Sequence, residues 1–122
     1  DRLNGKAPTG AKRSGRWRRV RNAFLLGKSC EVCGGRKSLV AHHEVPFYLA
    51  PDLELDVSNL MALCEAGRYG INCHFLIGHL GNWRRANVSA RANAAYWFQR
   101  LIIDRRRCEF AIECVGYRVG VN

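Results

Sequence analysis

Cys30-Glu31-Val32-Cys33-Gly34-Gly35 is a knuckle, two thiols three positions apart followed by glycines that let backbone amides turn toward the sulfurs. That spacing suits a tetrahedral zinc ion. A second pair lies downstream in Cys64 and Cys73, and four thiolates would close a structural Zn2+ site. The gap between Cys64 and Cys73, with Gly67 and Gly70 inside it, is less regular than the first. The alternatives are buried thiols acting as small apolar groups, or a disulfide. A chain of 122 residues, 48% of them apolar, can bury one modest core and gains little from it, so a metal staple fits its energetics. Cys108 and Cys114, on one extended strand, would lie roughly 20 Å apart, so they stay outside the site, with core packing as their expected role.

No run of about 18 apolar residues is present to span a bilayer, and no charged-then-apolar leader opens the chain. The expected compartment is therefore a reducing cytoplasm with no membrane partner, where clustered thiols bind metal more often than they pair. Lys and Arg number 20 against 10 Asp and Glu, a formal net charge of +10. Such a chain seeks polyanions, because counterion release from nucleic acid rewards clustered arginine and lysine. A merely solvated basic surface is the alternative.

The elements read as a small α+β single domain. Residues 1–15, rich in Gly, Lys and Arg, are expected to be a disordered basic arm. Eight basic residues and one acid fall between residues 1 and 21. Ser14 is placed to cap a basic amphipathic helix running to about Leu26 and stopped by Gly27, with Trp17, Val20 and Phe24 on one face as core packing rather than base stacking. Residues 38–47 read as a strand ending near Pro46, then an acidic loop with Asp52, Glu54 and Asp56, then a second strand over residues 60–63. Residues 73–80 look helical until Gly81, and a longer helix is expected over about residues 88–104 with Ala94, Trp97, Phe98 and Leu101 as its stripe. A tail from residue 105, with a strand from Cys108, has no assigned packing.

All four histidines fall between residues 42 and 79, interleaved with the cysteines: His42-His43, then Asn59, His74 directly after Cys73, and His79. Taken together, WRRVRNAFL, CEVCGG, AHHEVPF, SNLMALC and CHFLIGH resemble the HNH endonuclease family, over about residues 17–80. The resemblance implies a ββα-metal (His-Me finger) core over about residues 37–80 within a nuclease domain of residues 16–104, flanked by the basic helix and a C-terminal helix. It implies one catalytic divalent cation (Mg2+, Mn2+, Ni2+ or Zn2+), with His42 as ligand, His43 as general base, Asn59 steadying the loop that orients the base, and His74 completing the metal site. Such domains occur in phage DNA packaging, restriction, mobile elements and toxins. The step of 15 from Asn59 to His74 is longer than the family's, the surplus falling between Cys64 and Cys73.

Strand geometry argues the same division, since successive residues point to opposite sides and His42 and His43 cannot easily serve one ion. A neutral imidazole can accept a proton from water near pH 7. His79, five residues past His74, is about 140° away on a regular helix, so it is either a third ligand, if the helix distorts near Gly78, or a structural histidine. Glu44 touches the metal or is solvated.

For substrate, Asn82-Trp83-Arg84-Arg85-Ala86-Asn87 reads as a phosphate clamp, extended by Arg16, Arg18, Arg19 and Arg21, while Arg105, Arg106 and Arg107 form another patch or a solvated helix end. No base-reading module is recognisable, so weak preference on duplex DNA is expected, with nicking by one copy and double-strand cleavage by a homodimer or with a protein partner. The alternative is a non-catalytic zinc-finger module that binds nucleic acid, its histidines structural.

Overall fold

The computed structural model describes residues 12–67 and 70–106. The chain is a small α+β structure with two antiparallel strands, a few helices and a cluster of four buried cysteines. Its elements are α1 (Trp17–Leu25), β1 (Leu39–His43), β2 (Leu60–Cys64), a π-helical segment (His74–Gly78) and α2 (Ala90–Phe98), which continues as π-helix over Gln99–Asp104. Among the described residues no helix is long and apolar enough to cross a membrane.

The hairpin is the centre. Leu39 pairs with Cys64, Ala41 with Ala62, and His43 with Leu60. Every residue of β2 is buried, which is why its sequence LMALC shows no polar alternation: both of its faces are covered. Met61, Leu63, Cys64 and Cys73 share a core with Val32, Ala90 and Ala94, against which Leu39, Ile77 and Leu101 pack. The knuckle is fastened to β2 by hydrogen bonds from Glu31 N to Ala62 O (2.9 Å) and from Ala62 N to Glu31 Oε2 (3.1 Å).

Several elements differ in detail from their sequence reading. Ser14 lies ahead of the helix rather than at its cap, its Oγ accepting from Arg16 N at 3.0 Å while its carbonyl accepts from Trp17 N. The end of the arm is fastened: the buried carboxylate of Glu54 accepts from Ser14 N at 2.9 Å and meets Arg13 Nε at 3.4 Å. The first strand stops at His43, three residues before Pro46, because Asn59 draws residue 45 into its own hydrogen bonds. Trp97 is exposed and packs edge-on to Tyr96, so the buried stripe of α2 rests on Ala90 and Ala94 instead. The expected tail strand with Cys108 and Cys114, and Arg107, lie outside the described residues.

Arg91 joins α2 to the hairpin. Its guanidinium donates to Ser58 O (2.9 Å) and Leu60 O (3.1 Å) and faces Glu31 and Glu44, both at 3.6 Å. Its amide donates to Glu44 Oε2, placing a carboxylate on the first turn of α2, where the helix dipole favours negative charge. Arg91→Ala is expected to lower stability by about 1–2 kcal/mol in urea unfolding, discounted for the partly exposed side chain. Arg91→Lys should recover little, because an ammonium cannot span two carboxylates and two carbonyls. Full recovery by lysine would refute the fork geometry as the cause.

Candidate functional site

The cysteine site is assembled from three places: the turn at Cys30 and Cys33, the end of β2 at Cys64, and Cys73 just ahead of the π-helical segment. All four thiols are buried and free of disulfides, with sulfurs within 4.8 Å of one another. Cys33 Sγ and Cys64 Sγ are 3.7 Å apart. That matches the edge of a tetrahedron of sulfurs about 2.3 Å from a central ion, roughly 3.8 Å. Backbone groups attend the sulfurs: Val32 N donates to Cys30 Sγ at 3.4 Å, and Gly34, at φ +76°, allows the turn that a side chain would strain.

Charge in this cluster is divided unevenly. Hydrogen bonding from Cys73 pulls the Cys30 thiol down to about 5, whereas burial pushes Cys64 up to about 11, and Cys73 is pushed far up by its bond to Cys30. Thiolates this close repel one another, so ionising one opposes ionising its neighbours. A divalent cation is what makes four thiolates compatible, and the cluster could hold a structural metal ion.

The second cluster is His42, His74 and His79, whose candidate ligand atoms also lie within 4.8 Å of one another. Their ring centroids form a nearly equilateral triangle of 5.0, 5.1 and 4.9 Å, each pair edge-on. His74 Nδ1 donates to Glu65 Oε2 (2.9 Å) and His79 Nδ1 donates to Arg85 O (2.9 Å). Each bond fixes the tautomer and leaves Nε2 as the lone-pair nitrogen. Nε2 of His74 and both ring nitrogens of His42 are buried and make no hydrogen bond. Buried nitrogens without protein partners are costly, and neutral imidazole donors turned toward one another suit a cation.

The π-helical segment explains why His79 joins. Its wider i→i+5 turn brings residues five apart back toward one side, and the segment ends at Gly78, so His79 is not held to a regular helix. Gly78 is needed for contact as well: a Cβ there would lie 3.1 Å from His42 Cε1 and 3.2 Å from His74 Cδ2. Trp83, read from sequence as part of a phosphate clamp, packs against His74 (5.1 Å) and His79 (4.9 Å).

His43 points away from this triangle. Its ring packs on Trp17 at 4.5 Å, and its Nε2 donates to the main-chain carbonyl of Glu54 at 2.9 Å, which leaves Nδ1 as the basic nitrogen. Asn59 clamps residue 45 from both sides, accepting from Val45 N (2.9 Å) and donating to Val45 O (3.0 Å). Glu44 lies with Arg91 rather than with the histidines. Arg16, Arg18, Arg19, Arg84 and Arg85 are exposed, while Arg21 is half-buried and bonds Asn22. Asn87 is buried, donating to Ile77 O and Asn93 Oδ1, and so does not contribute to a clamp. Glu65, Glu54 and Arg91 were not singled out from sequence for these roles, because each acts through a contact at least nine positions away. No family model, curated protein or solved structure matches the chain.

Two outcomes follow. A Cβ on Gly67 would sit 2.4 Å from Cys64 Sγ and 3.1 Å from Cys33 Sγ. Gly67→Ala should therefore weaken metal retention at the cysteines at least tenfold in a chelator competition, and retention equal to wild type would disprove the close approach.

Burial depresses His42 to about 2 and holds His43 and His74 near 4, all below the ordinary 6.5. Between about pH 4 and 6.5 the unfolded chain thus binds more protons than the folded one. The contribution is full above pH 6.5 and falls as pH drops through that window, by about 3 kcal/mol for each of these histidines. Unfolding midpoints measured from pH 7 to 4 should decline steadily, and a flat profile would contradict buried neutral imidazoles.

Proposed function

We propose that the chain is a metal-dependent endonuclease of the HNH type that hydrolyses DNA phosphodiester bonds, with His43 as general base. The observation that carries this reading is the opposite employment of two adjacent histidines. The His42 ring joins a triangle of buried imidazoles, and the His43 ring, on the other side of the strand, is oriented by a main-chain carbonyl. Two strands followed by the segment bearing His74 also have the order of a ββα-metal core.

In this reading the cysteines hold zinc, to which thiolate ligands and tetrahedral spacing are suited, and His42, His74 and His79 hold a catalytic divalent ion. Bound there, the ion supplies positive charge for the scissile phosphate and the leaving oxygen. His43 is held neutral by burial, and its Nδ1 takes a proton from the attacking water. Asn59 fixes the loop directly after His43 by its two bonds to Val45, and so steadies the base. Exposed Arg16, Arg18, Arg19, Arg84 and Arg85, within a net charge of +10, contact phosphates without reading bases.

The decisive measurement is conversion of supercoiled plasmid to nicked or linear form with magnesium, manganese, nickel or zinc added, comparing wild type with His43→Ala. Cutting that depends on the ion and falls about 10²–10⁴-fold in the folded variant is expected. Absence of cutting with every ion, in folded protein that binds DNA, would leave a non-catalytic nucleic-acid-binding module as the better account.

A further inference from the structure

The two clusters are joined at neighbouring residues. Cys64 is followed by Glu65, and Cys73 is followed by His74, so each member of one sulfur pair carries on its C-terminal side a group that belongs to the histidine site. Those two groups meet: His74 Nδ1 donates to Glu65 Oε2 at 2.9 Å, across nine positions of sequence. Glu65 presents its carboxylate from a fixed point, because its own amide extends the hairpin by donating to Ser38 O at 2.9 Å. The His74 side chain is 6% exposed and that of Glu65 27%, so the bond is partly shielded from water.

We propose that Glu65 is the positioning residue that couples the cysteine site to the histidine triad, setting the tautomer and strengthening the donor power of His74 for a divalent cation. The proposal rests on the reading of the triad as an ion site. A carboxylate accepting from Nδ1–H excludes the tautomer with a proton on Nε2 and raises the basicity of Nε2, the nitrogen left without a protein partner. Its negative charge would also offset part of the charge of a dication held by His42, His74 and His79. Sulfur coordination would pin Cys64 and Cys73, hence the backbone on which both Glu65 and His74 stand. By linkage, filling either site then raises the affinity of the other.

The test is cobalt(II) titration of the full chain after loading with one equivalent of zinc, with protection of the thiols from a thiol reagent confirming that zinc occupies the cysteines. Binding at the triad is read from the visible bands of cobalt, with no need for catalysis. Glu65→Gln, which retains an acceptor but not the charge, and Glu65→Ala should each bind cobalt about 10–100-fold more weakly than wild type while keeping their thiols protected. Unchanged cobalt affinity in both variants overturns the coupling and leaves the triad reading intact. Wild type that takes up no cobalt overturns both. If Glu65→Ala also loses thiol protection, Glu65→Gln decides: weakened binding with protected thiols supports the role, and wild-type binding refutes it.

Discussion

Cys30 and Cys33 leave a glycine-bearing turn, Cys64 ends β2, and Cys73 stands directly before the π-helical segment, yet their sulfurs lie within 4.8 Å of one another. Among the described residues, the bonds between Glu31 and Ala62 and one small core join these places. The core that surrounds them is small, with Met61, Leu63, Val32, Ala90 and Ala94 as its buried non-cysteine members. Sulfurs this close repel once more than one is ionised, so a cation held among them would also steady the three places that carry them.

The histidine positions then follow from strand alternation and one local distortion. β1 ends in two adjacent histidines, and the pleat sends one ring to His74 and His79 and the other to Trp17. A regular helix after Cys73 would carry His79 away from His74. The π-helical turn, and the glycine at position 78 over which the rings close, bring it back. A π-helical turn is a local departure from regular helix of the kind that recurs at functional sites, and here Gly78 sits in it against the rings of His42 and His74.

Much of this was legible in the residues. The cysteine pairing was, because ligand spacing is a local signal, and so were the hairpin strands and the opposite sides of His42 and His43. The distortion that admits His79 was foreseen only as a condition, since an i→i+5 turn leaves no mark in composition. The packing of Trp83 on His74 and His79 was not foreseen, because an aromatic beside two arginines looks alike whether it stacks on a ligand or on a neighbouring histidine. Trp97 has helical spacing to Ala94 and Leu101, but α2 meets the core through small residues, so a large side chain at its rim is left exposed. Ser14 has the chemistry of a cap, but its hydroxyl accepts from Arg16 N ahead of the helix, which starts at Trp17.

What sequence could least reveal is the use of main-chain carbonyls as orienting groups. Glu54 O fixes the proton of His43 on Nε2, and Arg85 O fixes that of His79 on Nδ1. Any residue supplies a carbonyl, so neither position carries a side-chain signature of this role. The consequence is a division of labour within single residues. Glu54 turns its carbonyl to the histidine and its carboxylate to Ser14 and Arg13, fastening the start of the basic helix beside the candidate base. Arg85 turns its carbonyl inward and leaves its guanidinium exposed beside Arg84. The exposed guanidinium of Arg85 thereby lies at the margin of the buried histidines that its own carbonyl helps to orient. In the proposed nuclease reading, phosphate contacts at the surface and unprotonated imidazoles beneath them are compatible for this reason.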